Sequence, residues 1–228
     1  MTPTSAHAGG QLALPVTLAD YATFDNFWPA GNEEIVTALR AKPPAPSLWL
    51  HGPAHVGKSH LLQANCQRGR ECVYLTGVIL LEMPAAALDG LERYAQVCVD
   101  DVDRLLGDRA REEALFHLYN RLIDHGRSLV LAASRPPTAY EFLLPDLASR
   151  LRAAMTLAVE PLDDDGRLAA LKLRARSRGF ELPSVTGRYL LNHQRRDMRS
   201  LCAILDTLDI ASLAAQRRLT VPFVKTIL

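Results

Sequence analysis

Short apolar runs alternate with amphipathic stretches over the first two thirds of the chain. Ser47–His51, Gln96–Val99 and Ser128–Ala133 have buried-strand character, and Cys72–Leu75 and Met155–Glu160 read as two further strands. Between them, Ile35 and Leu39 share one helical face behind Asn32, which is placed to cap that helix, with Glu33 and Glu34 in its first turn. Pro43, Pro44 and Pro46 end it. Leu115, Leu118, Tyr119 and Leu122 form one stripe of a helix over Arg111–Asp124. Leu88–Tyr94 and the LLPDLASRLR stretch read as shorter helical pieces. Strands separated by helices predict an α/β domain: a five-stranded parallel sheet with helices on both faces and its ligand at the strand C-termini.

From Pro161 onward the pattern is helical only. Asp163 caps a helix ending near Gly179, and Leu182–His193 forms a second. Asp197–Gln216 carries Met198, Leu201, Cys202, Leu205 and Leu208 at helical spacing, and Thr220–Leu228 is a short last helix. The expected division is a tail over 1–20, an α/β domain over 21–160 and a small all-helical domain over 161–228. Residues 1–10 have tail composition. Gln11–Val16 reads either as a first strand or linker, or as a linear peptide whose Leu12 and Leu14 fill a partner's pocket.

Composition narrows the function classes. The 228 residues are 48% hydrophobic and 22% charged, as in an ordinary globule, and the net charge of +1 supplies no global field for DNA or membranes. The first basic residue is Arg40, so the cationic region of a secretory signal is absent. No apolar run approaches the ~20 residues that span a bilayer. Cys66, Cys72, Cys98 and Cys202 have no C-x-x-C spacing, which argues against zinc and disulfides and for a reduced, cytoplasmic chain. Arginines and lysines crowd the helical region, as a partner or nucleic-acid face or as solvated helix surfaces.

The candidate chemistry begins directly after the first strand, in GPAHVGKSH. Gly52 and Gly57 let backbone N–H groups turn toward an anion, and Pro53, Ala54, His55 and Val56 complete the loop. Lys58 can reach β- and γ-phosphates, Ser59 can ligate Mg²⁺, and the helix from His60 offers its N-terminus. ATP or ADP with Mg²⁺ is the cofactor this pattern takes. Asp100 and Asp101 end the third strand, where paired carboxylates need a cation: Asp100 to hold Mg²⁺, Asp101 to orient the attacking water. Ser134 ends the fourth strand, facing either the γ-phosphate or the turn at Pro136–Pro137. Phe24, Phe27 and Trp28 are either a wall for the adenine or core.

A P-loop, a paired-acid Walker B, a polar residue after the next strand, an arginine before the fifth strand and a helical lid resemble the AAA+ ATPases. TFDNF, GKSHLLQA and DDVD are similar to the bacterial replication initiator DnaA. QLALP, LPDLASRL, RGFELP and LTVPFVK resemble the DnaA-related regulators of the Hda type, over roughly residues 11–228. The resemblance implies that Gln11, Leu12, Leu14 and Pro15 bind the β sliding clamp of DNA polymerase III. It also implies that Asp100 and Asp101 are Walker-B acids, Ser134 sensor 1, Arg199 sensor 2 on the lid and Arg150 an arginine finger. Ser134 stands where the initiator usually has Asp, and Asp101 where many motors have Glu. Both fit a weak hydrolase that holds its nucleotide, and the resemblance implies a negative regulator of replication initiation that stimulates hydrolysis of the ATP bound to DnaA. A homodimer is a further expectation; a membrane and sequence-specific DNA are not. The alternative is a self-contained AAA+ ATPase acting as a loader or remodeller.

Overall fold

In the computed structural model, residues 22–228 apart from 43 and 70 are described. The α/β part runs α1 (Glu33–Arg40), β1 (Ser47–His51), α2 (Lys58–Gln67), β2 (Cys72–Thr76), α3 (Gly77–Glu82), β3 (Gln96–Asp100), α4 (Arg109–Asp124), β4 (Ser128–Ala133), α5 (Pro145–Arg152) and β5 (Met155–Ala158). All pairings are parallel and the strand order is β2-β3-β4-β1-β5, so the ends of β1 and β3 flank that of β4.

Alternation along each strand splits the core into two layers. Trp49, Leu75, Val97, Val99, Leu129 and Leu131 meet Leu115, Leu118 and Leu122 of α4 and Leu147 and Leu151 of α5. Leu48, Leu50, Tyr74, Cys98, Val130 and Ala132 meet Leu61 and Leu62 of α2 and Ile35 and Leu39 of α1. Phe24 belongs to this second layer, whereas Trp28 is exposed.

The helical part holds α6 (Asp164–Ser177), α7 (Ser184–His193), α8 (Met198–Ala215) and α9 (Val221–Lys225). Its own core gathers Leu171, Ala175, Leu190, Leu201, Leu205 and Val224. Asp163 and Asp197 cap α6 and α8 by accepting from Gly166 N and Ser200 N. Arg174 of α6 donates to both carboxylate oxygens of Asp206 on α8 (3.1 and 3.2 Å), tying the two helices.

Several sequence expectations are corrected. Leu88–Tyr94 is not one helix but two 3-10 turns, Ala85–Leu88 and Leu91–Arg93, because Gly90 between them takes φ +78°. The short helix α3 carries no periodic signal of its own. Asn32 does not cap α1 through its side chain. It is buried, and bonds instead to both backbone groups of Glu160. Cys66 and Cys72 are joined as a disulfide, against the expectation of free thiols; the turn from α2 into β2 brings their Cα atoms to 5.0 Å.

Candidate functional site

The chain leaves β1 at His51 and turns at once. A Cβ on Gly52 would lie 2.6 Å from Val159 O, so only glycine passes the end of β5 here. Gly57 takes φ +109° as the residue capping α2, and Phe27 lies against it. Because α2 begins at Lys58, its unpaired N–H groups open onto the loop. Lys58 folds back over that loop, donating to Gly52 O and Pro53 O, both at 2.8 Å. Burial lowers the Lys58 pKa, while Asp100, Asp101 and Asp103 work to raise it.

Asp100 is 3% exposed at the end of β3. Its Oδ2 accepts from the Tyr74 hydroxyl at 2.8 Å and its Oδ1 from Asp101 N at 3.0 Å. Tyr74 pairs with Cys98 in the register of β2 and β3, so its phenol leans toward the next residue on the same face. Burial, then the Asp100 charge, pushes the Tyr74 pKa upward, which keeps its proton on the bond. Asp101 follows in the left-handed region at φ +50°, half-buried, with Arg104 Nε at 3.9 Å. Burial and the neighbouring charges of Asp100 and Asp103 raise its pKa above the usual carboxylate range.

These groups open into a cleft of about 810 Å³ closed on its far side by the helical part. The volume is that of an ordinary small-molecule site. The cleft brings together Ala54, His55, Gly57, Lys58, Ser59, His60, Asp100, Asp101 and Arg199 from among the predicted residues. Pro53 and Val56 line a smaller adjoining pocket on the other side of the loop. Gly52 shapes the turn without lining either. Sequence reading missed Tyr74, Arg104, Arg174 and Asp206, which also line the cleft. Arg174 is one of the many basic residues of the helical region, and nothing in a local pattern marks the others.

Ser134 and Arg150 also stand outside the cleft lining. The Ser134 hydroxyl donates to Asp103 Oδ2 (2.7 Å) and meets the Tyr140 hydroxyl (2.8 Å). Arg150 is exposed near the end of α5, with its guanidinium carbon 5.5 Å from the ring centres of both Phe116 and Tyr119 of α4. Gln11, Leu12, Leu14 and Pro15 lie outside the described residues. Among the described residues no helix is long and apolar enough to cross a membrane.

A five-stranded parallel sheet with a P-loop after β1, acids ending β3 and a helical lid over the cleft defines an AAA+ P-loop domain. Residues 88–158 match the bacterial DnaA ATPase domain, and residues 164–228 match the lid domain of Hda. Domain III of the Thermotoga maritima DnaA is similar in fold, with TM-score 0.75 and 20% identity over 93% of this chain and 98% of that one. DnaA from Aquifex aeolicus bound to AMPPCP gives 0.69 and 22% over 85% and 67%. The Thermotoga maritima RuvB branch-migration motor gives 0.64 and 16% over 86% and 66%. The fold is thus of the AAA+ kind, with one segment that matches the DnaA ATPase domain and a second that matches the Hda lid.

Proposed function

We propose that the chain binds ADP or ATP in its own cleft and switches off a neighbouring, ATP-bound DnaA. Lys58 and the N-terminus of α2 take the phosphates, and Arg199 reaches them from the lid. Ser59 and Asp100 are hard oxygen donors of the kind Mg²⁺ prefers, and the buried Asp100 calls for a cation, so the residues fit that ion. Bound Mg²⁺ would neutralise phosphate charge. The nucleotide serves as a structural ligand that sets the angle between the α/β part and the lid.

The observation that carries this reading is the position of Arg150. It is exposed, outside the chain's own cleft, and propped on two aromatic rings, with no carboxylate paired to it among the described residues. Such a guanidinium is available to a site on another molecule. Entering the initiator's site, it stabilises charge developing on the γ-phosphate, an effect worth ~10³–10⁵ in rate when supplied in trans. The Gln11–Pro15 peptide docks on the β sliding clamp and delivers the chain after the clamp is loaded.

The test is hydrolysis of DnaA-bound ATP with clamp on DNA, with this protein, Arg150→Ala, or a Leu12→Ala/Leu14→Ala variant. Both variants lose stimulation, and Arg150→Ala retains nucleotide and clamp binding. Full stimulation by Arg150→Ala discards the finger. The gathering of Lys58, Asp100, Asp101 and Arg199 around one cleft favours a second reading, a self-contained ATPase. Steady-state turnover by the purified chain alone separates the two.

A further inference from the structure

Three sulfurs converge at the end of the P-loop helix remote from the nucleotide cleft. Cys66 sits in the last turn of α2, Cys72 opens β2 and Cys98 lies in the middle of β3. All three Sγ atoms fall within 4.8 Å of one another, and no other group of histidines, cysteines and acids of metal-binding geometry occurs among the described residues. Cys202, the remaining cysteine, stands apart on α8.

We propose that the reduced trio of Cys66, Cys72 and Cys98 is a three-thiolate site for a soft divalent cation of the Zn²⁺ class. Tetrahedral Zn–S bonds of about 2.3 Å put neighbouring sulfurs about 3.8 Å apart. Cys72 Sγ and Cys98 Sγ are 3.8 Å apart. Cys66 and Cys72 are bonded in the oxidised form; an external thiol or phosphine reductant supplies the two electrons that cleave the bond to two thiols, and the thiols release their protons on binding the ion. Sulfur-only ligation selects soft ions. Three thiolates around a divalent ion leave one net negative charge, against two around Cu⁺, so the divalent ion suits a largely buried site. Cys72 is the half-buried member, and the open fourth position falls on its side.

The polar surroundings point the same way. Asn65 is 5% exposed, an unusual place for a carboxamide on a helix packed against a sheet. Its Nδ2 donates to Cys98 Sγ at 3.7 Å and to Gln96 Oε1 at 2.5 Å. Gln96 Oε1 in turn lies 4.0 Å from Cys72 Sγ. The Asn65 amide N–H aimed at Cys98 stabilises charge on that sulfur and fixes its direction, as outer partners do around metal ligands, and Gln96 Oε1 in turn fixes Asn65.

The experiment uses the full chain, reduced and kept under argon. Zn²⁺ is titrated against a chromophoric chelator, and Co²⁺ is added separately as a spectroscopic probe. One equivalent of Zn²⁺ is retained, and Co²⁺ gives a thiolate charge-transfer band with tetrahedral ligand-field absorption. Cys72→Ser and Cys98→Ser each weaken binding about tenfold or more, while Cys202→Ser binds as the parent does. Cys72→Ser changes a half-buried side chain, so it remains informative where Cys98→Ser fails to fold. Loss of Zn²⁺ to the chelator by the reduced parent overturns the site. So does equal affinity in the folded cysteine variants, or Co²⁺ spectra lacking sulfur ligation.

Discussion

Asn32 holds both backbone groups of Glu160, 128 residues away: its Oδ1 accepts from Glu160 N at 2.8 Å and its Nδ2 donates to Glu160 O at 3.1 Å. Glu160 is two residues past β5, just before the helical part begins. One buried carboxamide therefore clamps the start of α1 to the connection between sheet and lid. Asn32→Ala leaves these groups without their partner and is expected to cost about 1–3 kcal/mol, read as a lower urea midpoint. Asn32→Asp keeps the acceptor and loses the donor, so it should fall between.

Tyr74→Phe removes the hydroxyl that orients Asp100 while keeping the ring in its core layer. With Asp100 holding Mg²⁺ as proposed, the expected loss is confined to the metal-dependent part of nucleotide affinity, about tenfold or more, as for outer partners of metal ligands generally. Titration of nucleotide with Mg²⁺ and with EDTA separates the two parts. An equal loss in both would assign Tyr74 a packing role only.

Gly77 opens α3 directly beneath Asp101. A Cβ there would collide with the Asp101 carbonyl and lie 3.1 Å from Arg104 Cβ. Gly77→Ala must displace the turn that holds Asp101, at an expected cost of about 1–3 kcal/mol, seen as a lower Tm. Val78→Ala next to it, at a 44% exposed residue, is the control and should shift stability by no more than about 0.5 kcal/mol.

His60 gives the fold an acid sensitivity. Its pKa is lowered from 6.5 chiefly by burial, although a bond to Thr23 O works the other way. The unfolded chain then takes the proton first as the pH falls. The stability linked to His60 is thus complete above pH 6.5 and declines as pH drops toward the lowered folded value. His51, lowered by burial too, adds to the same trend. Tm measured from pH 8 to pH 5 should fall less steeply for His60→Gln than for the parent; parallel profiles would contradict this.

The core strands were legible because buried parallel strands are continuous apolar runs, and β1 and β4 begin and end where the residue pattern says. β5 is shorter than expected, stopping at Ala158: Val159 N still donates to His51 O at the end of β1, and Glu160 gives both backbone groups to the Asn32 side chain. The P-loop glycines were readable since their conformational demands are local. The aromatic segment was ambiguous as sequence, and packing assigned Phe24 to the core and left Trp28 in solvent.

By itself, the sequence determined the strand–loop–helix of the phosphate loop, the acidic end of β3 and the change to an all-helical region at Pro161. Those features depend on neighbours a few residues apart, where periodicity and backbone preference act. Folding in three dimensions is what brings Tyr74 to Asp100, Asn32 to Glu160 and three cysteines from α2, β2 and β3 together. Such pairings follow from strand order and layer packing, which bring distant residues together without leaving any mark in the local pattern.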